Sequence, residues 1–210
     1  MQKSLASIAL AAASLFAAGA AQAMPTYLPV GAQANVALSQ VTGGGWTQCY
    51  LATFDVAIGN AGENVLNQCA GDYIMMAGRA TGSNTLLALA ATTRADAILD
   101  TGNTSNTHVS NGAQWWYSDD WSWGFIGLND NAWNDECNSN SSAIGMCLHT
   151  FDFVGGYRIN NITGLNDSTA YEKMFFVANR SNNNVPEPGS LALVGLALAG
   201  AVGALRRKAR

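Results

Sequence analysis

The last 26 residues, Val185 to Arg210, constrain the chain most. They read Val185-Pro186-Glu187-Pro188-Gly189-Ser190, then an uninterrupted apolar run from Leu191 to Leu205, then Arg206-Arg207-Lys208-Ala209-Arg210. Two prolines around a glutamate form a stiff, exposed element that continues neither a helix nor a strand. The run behind it carries no charge, and a basic cluster closes it. Such an order describes a short membrane span with a cytoplasmic stop signal, not a piece of a globular core. Residues 190–205 would make a helix of roughly 24 Å against a hydrocarbon layer of about 30 Å. That length suits a temporary anchor better than a permanent one.

The other end is also an address. Lys3 precedes an apolar stretch from Leu5 to Ala20, and Ala21-Gln22-Ala23 places small residues where a signal peptidase reads them. Residues 1–23 are therefore expected to be a signal peptide, cut after Ala23. The positive-inside rule keeps Lys3 and the C-terminal arginines on the cytoplasmic side and sends everything between them out of the cytoplasm. The expected organisation is a β-rich extracytoplasmic domain over residues 24–180, a polar linker over 181–185, and a sorting tail over 186–210.

Val185-Pro186-Glu187-Pro188, the glycine-rich span and Arg206-Arg207, in that order, closely resemble the PEP-CTERM sorting tail of Gram-negative bacteria. The resemblance covers about one eighth of the chain. It implies recognition by an exosortase and cleavage at or near Pro186-Glu187-Pro188. It also implies an inner-membrane-anchored precursor whose product reaches the cell surface or an exopolysaccharide matrix, such as that of a biofilm. Some ice-binding proteins carry the same kind of tail, though this tail has no ice-binding face.

The stretch between the two signals is long enough for one domain with a sizeable core. From Met24 to Val185 it holds 13 Asp/Glu and 5 Lys/Arg, a net of −8. A domain this acidic is a poor partner for nucleic acid or anionic lipid, and an anionic polymer would need a bridging cation. Neutral glycans remain open. Cys49, Cys69, Cys137 and Cys147 are even in number and bound for an oxidising compartment, so disulfides are expected. Three connectivities are possible, and the local pairing Cys49–Cys69 with Cys137–Cys147 is preferred.

Met24 to Gln40 reads as a loose leader or first strand, and Gly43-Gly44-Gly45 as a flexible joint. Trp46 to Val56 alternates imperfectly as a half-buried strand, with Trp46, Tyr50, Ala52, Phe54 and Val56 on one face and Gln48 and Leu51 breaking the pattern. Glu63 to Cys69 is a short helix. Tyr73–Ala77 and Leu86–Thr92 form a hairpin across Thr81-Gly82-Ser83-Asn84. Ala95 to Leu99 reads as another strand. Gln114–Tyr117 and Trp121–Ile126 form a second hairpin, and Asn129 to Ser142 a polar loop. Late strands follow at Phe151–Val154, Tyr157–Ile159 and Tyr171–Val177. Frequent turns favour a mainly β domain, a single β-sandwich or a jelly-roll-like fold.

Candidate chemistry gathers where aromatics do. Trp115, Trp116, Trp121, Trp123 and Trp133 lie within one short segment. Trp121, Trp123 and Phe125 share strand parity, and flat rings can stack on the C–H face of a sugar. Asn129, Asp130, Asn131, Asn134 and Asp135 could bond hydroxyls. The bland alternative places Trp121 and Trp123 in the core. Asp119, Asp120, Asp130, Asp135 and Glu136 allow weak calcium binding without an EF-hand register, and no metal centre is assigned. His108 and His149 stand in polar settings, and Cys147 near His149 resembles a thiol–imidazole couple only if reduced. No catalytic motif is present, so no catalytic residue is assigned. The sequence thus points to an exported, exosortase-processed surface or exopolysaccharide-matrix protein that binds glycan. The alternatives are a structural or adhesive component without a discrete site, a hydrolase acting on matrix polymer, or an ice-binding protein.

Overall fold

The hairpin periodicity develops into two antiparallel sheets facing one another. The computed structural model describes residues 25–103, 105–133, 137–139, 143–151 and 154–180. Both signals, the linker and Phe153 lie outside the described residues. All described residues belong to one compact unit, Ala23–Arg180. Among them no helix is long and apolar enough to cross a membrane.

The chain is mainly β. After a short strand β1 (Val36–Ala37) and helix α1 (Leu38–Gly43) come β2 (Thr47–Thr53), helix α2 (Glu63–Leu66), β3 (Tyr73–Ala80), β4 (Thr85–Leu86) and β5 (Ala88–Thr93). Helix α3 (Arg94–Ala97) leads to β6 (His108–Ser110), β7 (Ala113–Tyr117) and β8 (Ser122–Gly127). The small strands β9 (Ala132–Trp133) and β10 (Asn138–Ser139) precede β11 (Gly145–His149), β12 (Arg158–Ile159) and β13 (Tyr171–Ala178). One sheet has the order β2-β13-β3-β5, the other β12-β11-β8-β7-β6. The five-stranded sheet is a simple meander, so its order is not that of a jelly roll built from Greek keys.

Between the sheets, Tyr50, Ile74, Met76, Ala90 and Phe175 meet Trp115, Trp123, Phe125, Met146 and Leu148 in one buried cluster. The Trp123 and Phe175 rings cross the gap at 5.0 Å between centroids. The outer face of the four-stranded sheet is buried too. Met75, Leu89, Met174 and Phe176 pack there under Val36, Val41 and Trp46. The N-terminal segment is therefore a cover rather than a loose leader. Gly43-Gly44-Gly45 is not a flexible joint either, because a Cβ on Gly44 would fall 2.4 Å from Tyr27 Cβ. Trp46 Nε1 donates to the Tyr27 carbonyl at 2.6 Å and fixes the cover.

Two further expectations need correction. Trp46 and Tyr50 do not share a face: β13 pairs Phe175 with Tyr50 but Phe176 with Gln48, which leaves Cys49 as a bulge. One extra residue flips the parity, so Trp46 faces the outer cluster while Tyr50 and Phe54 face the inner one. Residues 95–99 are not a strand. Thr93 caps α3 by accepting from Asp96 N at 3.1 Å, and that cap outweighs the short apolar run. The two disulfides are the local pairs, Cys49–Cys69 and Cys137–Cys147.

Lys173 is fully buried on β13, and its Nζ donates to the carbonyls of Thr53, Phe54, Val56 and Gly155. These carbonyls belong to the end of β2, the turn after it, and the segment after β11. Gly155 must be glycine, since a Cβ there would lie 1.7 Å from the Phe54 carbonyl oxygen. Burial pushes the Lys173 ammonium down to about 7, Asp55 pulls it back up, and the carbonyl acceptors also favour the charged form. Lys173→Met would strand several buried carbonyls, so it should cost about 3 kcal/mol and lower the thermal midpoint by roughly 6–12 °C. An unchanged midpoint by calorimetry would show that the carbonyls find other donors.

Candidate functional site

The aromatic hairpin β7–β8 is built from side chains that alternate between two covered faces. Trp115 and Trp123 point inward and are fully buried. Trp116 points outward, yet it is only 3 % exposed beneath the segment that holds Cys137 and Ala143. Its ring lies over Gly124, where a Cβ would meet Cζ2 at 2.3 Å, and its Nε1 donates to Ser122 Oγ at 3.1 Å. The ring faces of these three tryptophans are therefore engaged in packing. Trp133 belongs to β9, but its ring is outside what the structure describes, as are Asn134, Asp135 and Glu136.

Trp121 behaves differently. It precedes β8 instead of belonging to it, and it is not part of the inner cluster that holds Trp123 and Phe125. It is half-buried at one end of the sheet, where its ring lies 5.7 Å from Phe151. His149 ends β11 opposite Ser122 and approaches Phe151 at 4.8 Å and Tyr157 at 6.1 Å. Backbone bonds hold this end together. Thr150 N donates to the Trp121 carbonyl at 3.1 Å, and Ala61 N reaches the carbonyls of Asp119 and Thr150 at 2.9 Å each. Tyr157 N donates to the Cys147 carbonyl, and Thr150 Oγ1 to the Ser118 carbonyl. Sequence reasoning singled out Trp121 and His149 separately. Phe151 and Tyr157 fall in expected strands but lie just outside β11 and β12, and their convergence depends on the β8–β11 pairing.

The His149 imidazole is held below its ordinary pKa, chiefly by burial. The Trp121 carbonyl and Asn166 pull it back toward the charged form. His149 Nδ1 and Asn166 Oδ1 are both buried without a hydrogen-bond partner. Cys147 is oxidised, so it forms no thiol–imidazole couple with His149.

His108 lies across from Trp115 on the edge strand β6, and both its ring nitrogens are buried without partners. Ser110 Oγ donates to Asp96 Oδ2 at 2.8 Å, as does Thr93 Oγ1 at 2.7 Å. The serine thus bonds the carboxylate directly, and the imidazole does not stand between them as a base. Among the described residues no three His, Cys, Asp or Glu side chains gather as a metal site. Asp119 and Asp120 are exposed beside Trp121, and Asp120 Oδ1 accepts from Ser118 Oγ at 2.8 Å.

All five basic side chains between residues 24 and 185 have partners within the fold. Arg79 pairs with Glu172 at 2.6 Å, and Arg94 donates to the Cys69 and Leu66 carbonyls. Arg158 donates to the Asn160 carbonyl, Lys173 sits in its ring of carbonyls, and the exposed Arg180 lies over the Tyr73 ring. Most of the acidic excess faces outward without a matching basic patch.

The lowered pKa of His149 has a defined sign. The unfolded chain takes up a proton near pH 6.5, and the fold resists until a lower pH. This contribution to stability is complete above that value and is lost as pH falls from 6.5 toward the folded pKa. Urea midpoints from pH 8 to pH 5 should therefore fall less in His149→Gln than in the parent. Equal slopes would contradict the assignment.

No curated protein and no solved structure matches this chain. Residues 184–208 do match a family model, and the C-terminal segment is a PEP-CTERM protein-sorting motif that implies an exported, membrane-anchored precursor.

Proposed function

We propose that the chain is an exosortase substrate whose 24–180 domain works at the cell surface or within exopolysaccharide, where it contacts glycan. The sorting motif at 184–208 carries this reading. Signal peptidase would remove residues 1–23. Residues 190–205 would hold the precursor in the inner membrane, and cleavage at or near Pro186-Glu187-Pro188 would release it. Arg206 and Arg207 would fix the cytoplasmic end. Two disulfides in a domain of this size agree with an oxidising destination.

A second reading is a structural or adhesive matrix component without a discrete site. The burial of Trp115, Trp116 and Trp123 favours it, because three of the candidate rings serve the core.

Expression of the full chain in a Gram-negative host, with and without an active exosortase, separates sorted from merely exported protein. With the enzyme, the chain should lose its tail and appear in the surface or matrix fraction. Without it, or with Pro186-Glu187-Pro188 changed to three alanines, the longer form should stay in the inner membrane. Processing that ignores both changes would overturn the reading.

A further inference from the structure

We propose that the end of the domain around Trp121, Phe151, Tyr157 and His149 is a binding site for a neutral hexose chain. The proposal rests on the glycan-contact reading above and moves its site away from the buried tryptophans. Three observations converge there.

The first is exposure. Trp115, Trp116 and Trp123 are at most 3 % accessible, whereas Trp121, His149, Phe151 and Tyr157 are all half-buried and lie within ring-contact distance of one another. The part of these rings that stays accessible is an apolar surface matched to the C–H face of a pyranose.

The second is polar equipment. Asp119 and Asp120 directly precede Trp121 and are exposed, so their carboxylates can accept from sugar hydroxyls. Of the two His149 ring nitrogens, only Nδ1 is buried without a partner, and Asn166, which acts on the same imidazole, has its Oδ1 buried in the same condition. Buried polar groups are normally bonded, so a small adjustment that closes the Asn166 Oδ1···Nδ1 contact would satisfy both. Nδ1 would then carry the proton, and Nε2 would be left to accept from a hydroxyl.

The third is charge. Arg79, Arg94, Arg158, Lys173 and Arg180 all have partners in the fold, and the carboxylates beside Trp121 repel a polyanion. Neutral hexoses satisfy the rings and acceptors without needing a cation. A uronate chain does not.

The test is calorimetric titration of the full chain, purified in a sugar-free detergent, with cellohexaose, mannohexaose and hexagalacturonate. At least one neutral hexasaccharide should bind saturably, and hexagalacturonate should not. Trp121→Ala should weaken that binding by about tenfold or more, as expected for an aromatic anchor. Trp121→Tyr should keep most of it, and His149→Gln should weaken it while near-UV circular dichroism stays that of the parent. Should Trp121→Ala unfold, the tyrosine and glutamine variants carry the comparison. Absence of saturable neutral binding, preference for the uronate, or parent-like binding by Trp121→Ala or His149→Gln would each overturn the site. Failure here leaves tail processing untouched, and failure of processing leaves this titration untouched.

Discussion

The last strand is the one the sheets are built around. β13 lies between β2 and β3, so its two neighbours come from the N-terminal half of the domain. Its side chains serve three environments in four consecutive residues. Phe175 reaches across to Trp123, Met174 and Phe176 fill the outer cluster, and Lys173 holds four carbonyls from separate segments. A buried ammonium is costly unless its protons find acceptors, and here the acceptors are loop carbonyls that would otherwise be stranded. Each group solves the other's problem. Arg180 follows directly, its N–H bonded to Asp72 at 2.7 Å, and the sorting motif begins a few residues later. The four-stranded sheet therefore cannot close until almost all the chain before the motif has been exported.

The same economy shapes the surface. A domain with few basic residues engages them within the fold, on carbonyl groups and one carboxylate, and leaves only Arg180 exposed, over the Tyr73 ring. A domain rich in tryptophan uses most of the described rings to cover both faces of a meander. The outward set of functional groups is then acidic and hydroxyl-bearing, with one half-buried aromatic end. That combination disfavours nucleic acid and anionic polymers and is compatible with the neutral polymer proposed as ligand.

The sequence disclosed some of this readily. The tail was legible because a sorting signal is linear chemistry: rigid prolines, an apolar run and a basic stop. The local disulfide pairing and both expected hairpins were readable from spacing and turn residues. Other features depended on tertiary partners. The bulge at Cys49 is set by the register of β13, far along the chain, so the Trp46–Val56 alternation could only look imperfect. Helix α3 was signalled by Thr93 three residues before Asp96, a cap pattern hidden beside a short apolar run. Asn111-Gly112, with φ of 47° and 77°, makes the tight turn between β6 and β7, and the dipeptide itself was the overlooked signal. Trp115-Trp116-Tyr117 invited an exposed reading because one face of a hairpin is usually wet. Here Cys137 and Ala143 pack with Trp116 on the second face. The Trp121 end was invisible because its rings come from the turn before β8, the end of β11, the segment just after it and the residue before β12.

The role of β13 can be measured directly by comparing two chains exported to an oxidising compartment, one ending at Arg180 and one ending at Ala170. The chain ending at Arg180 keeps the central strand and should unfold cooperatively in urea. The chain ending at Ala170 should show no cooperative transition and no native near-UV signal. Cooperative unfolding of the Ala170 chain would contradict the account.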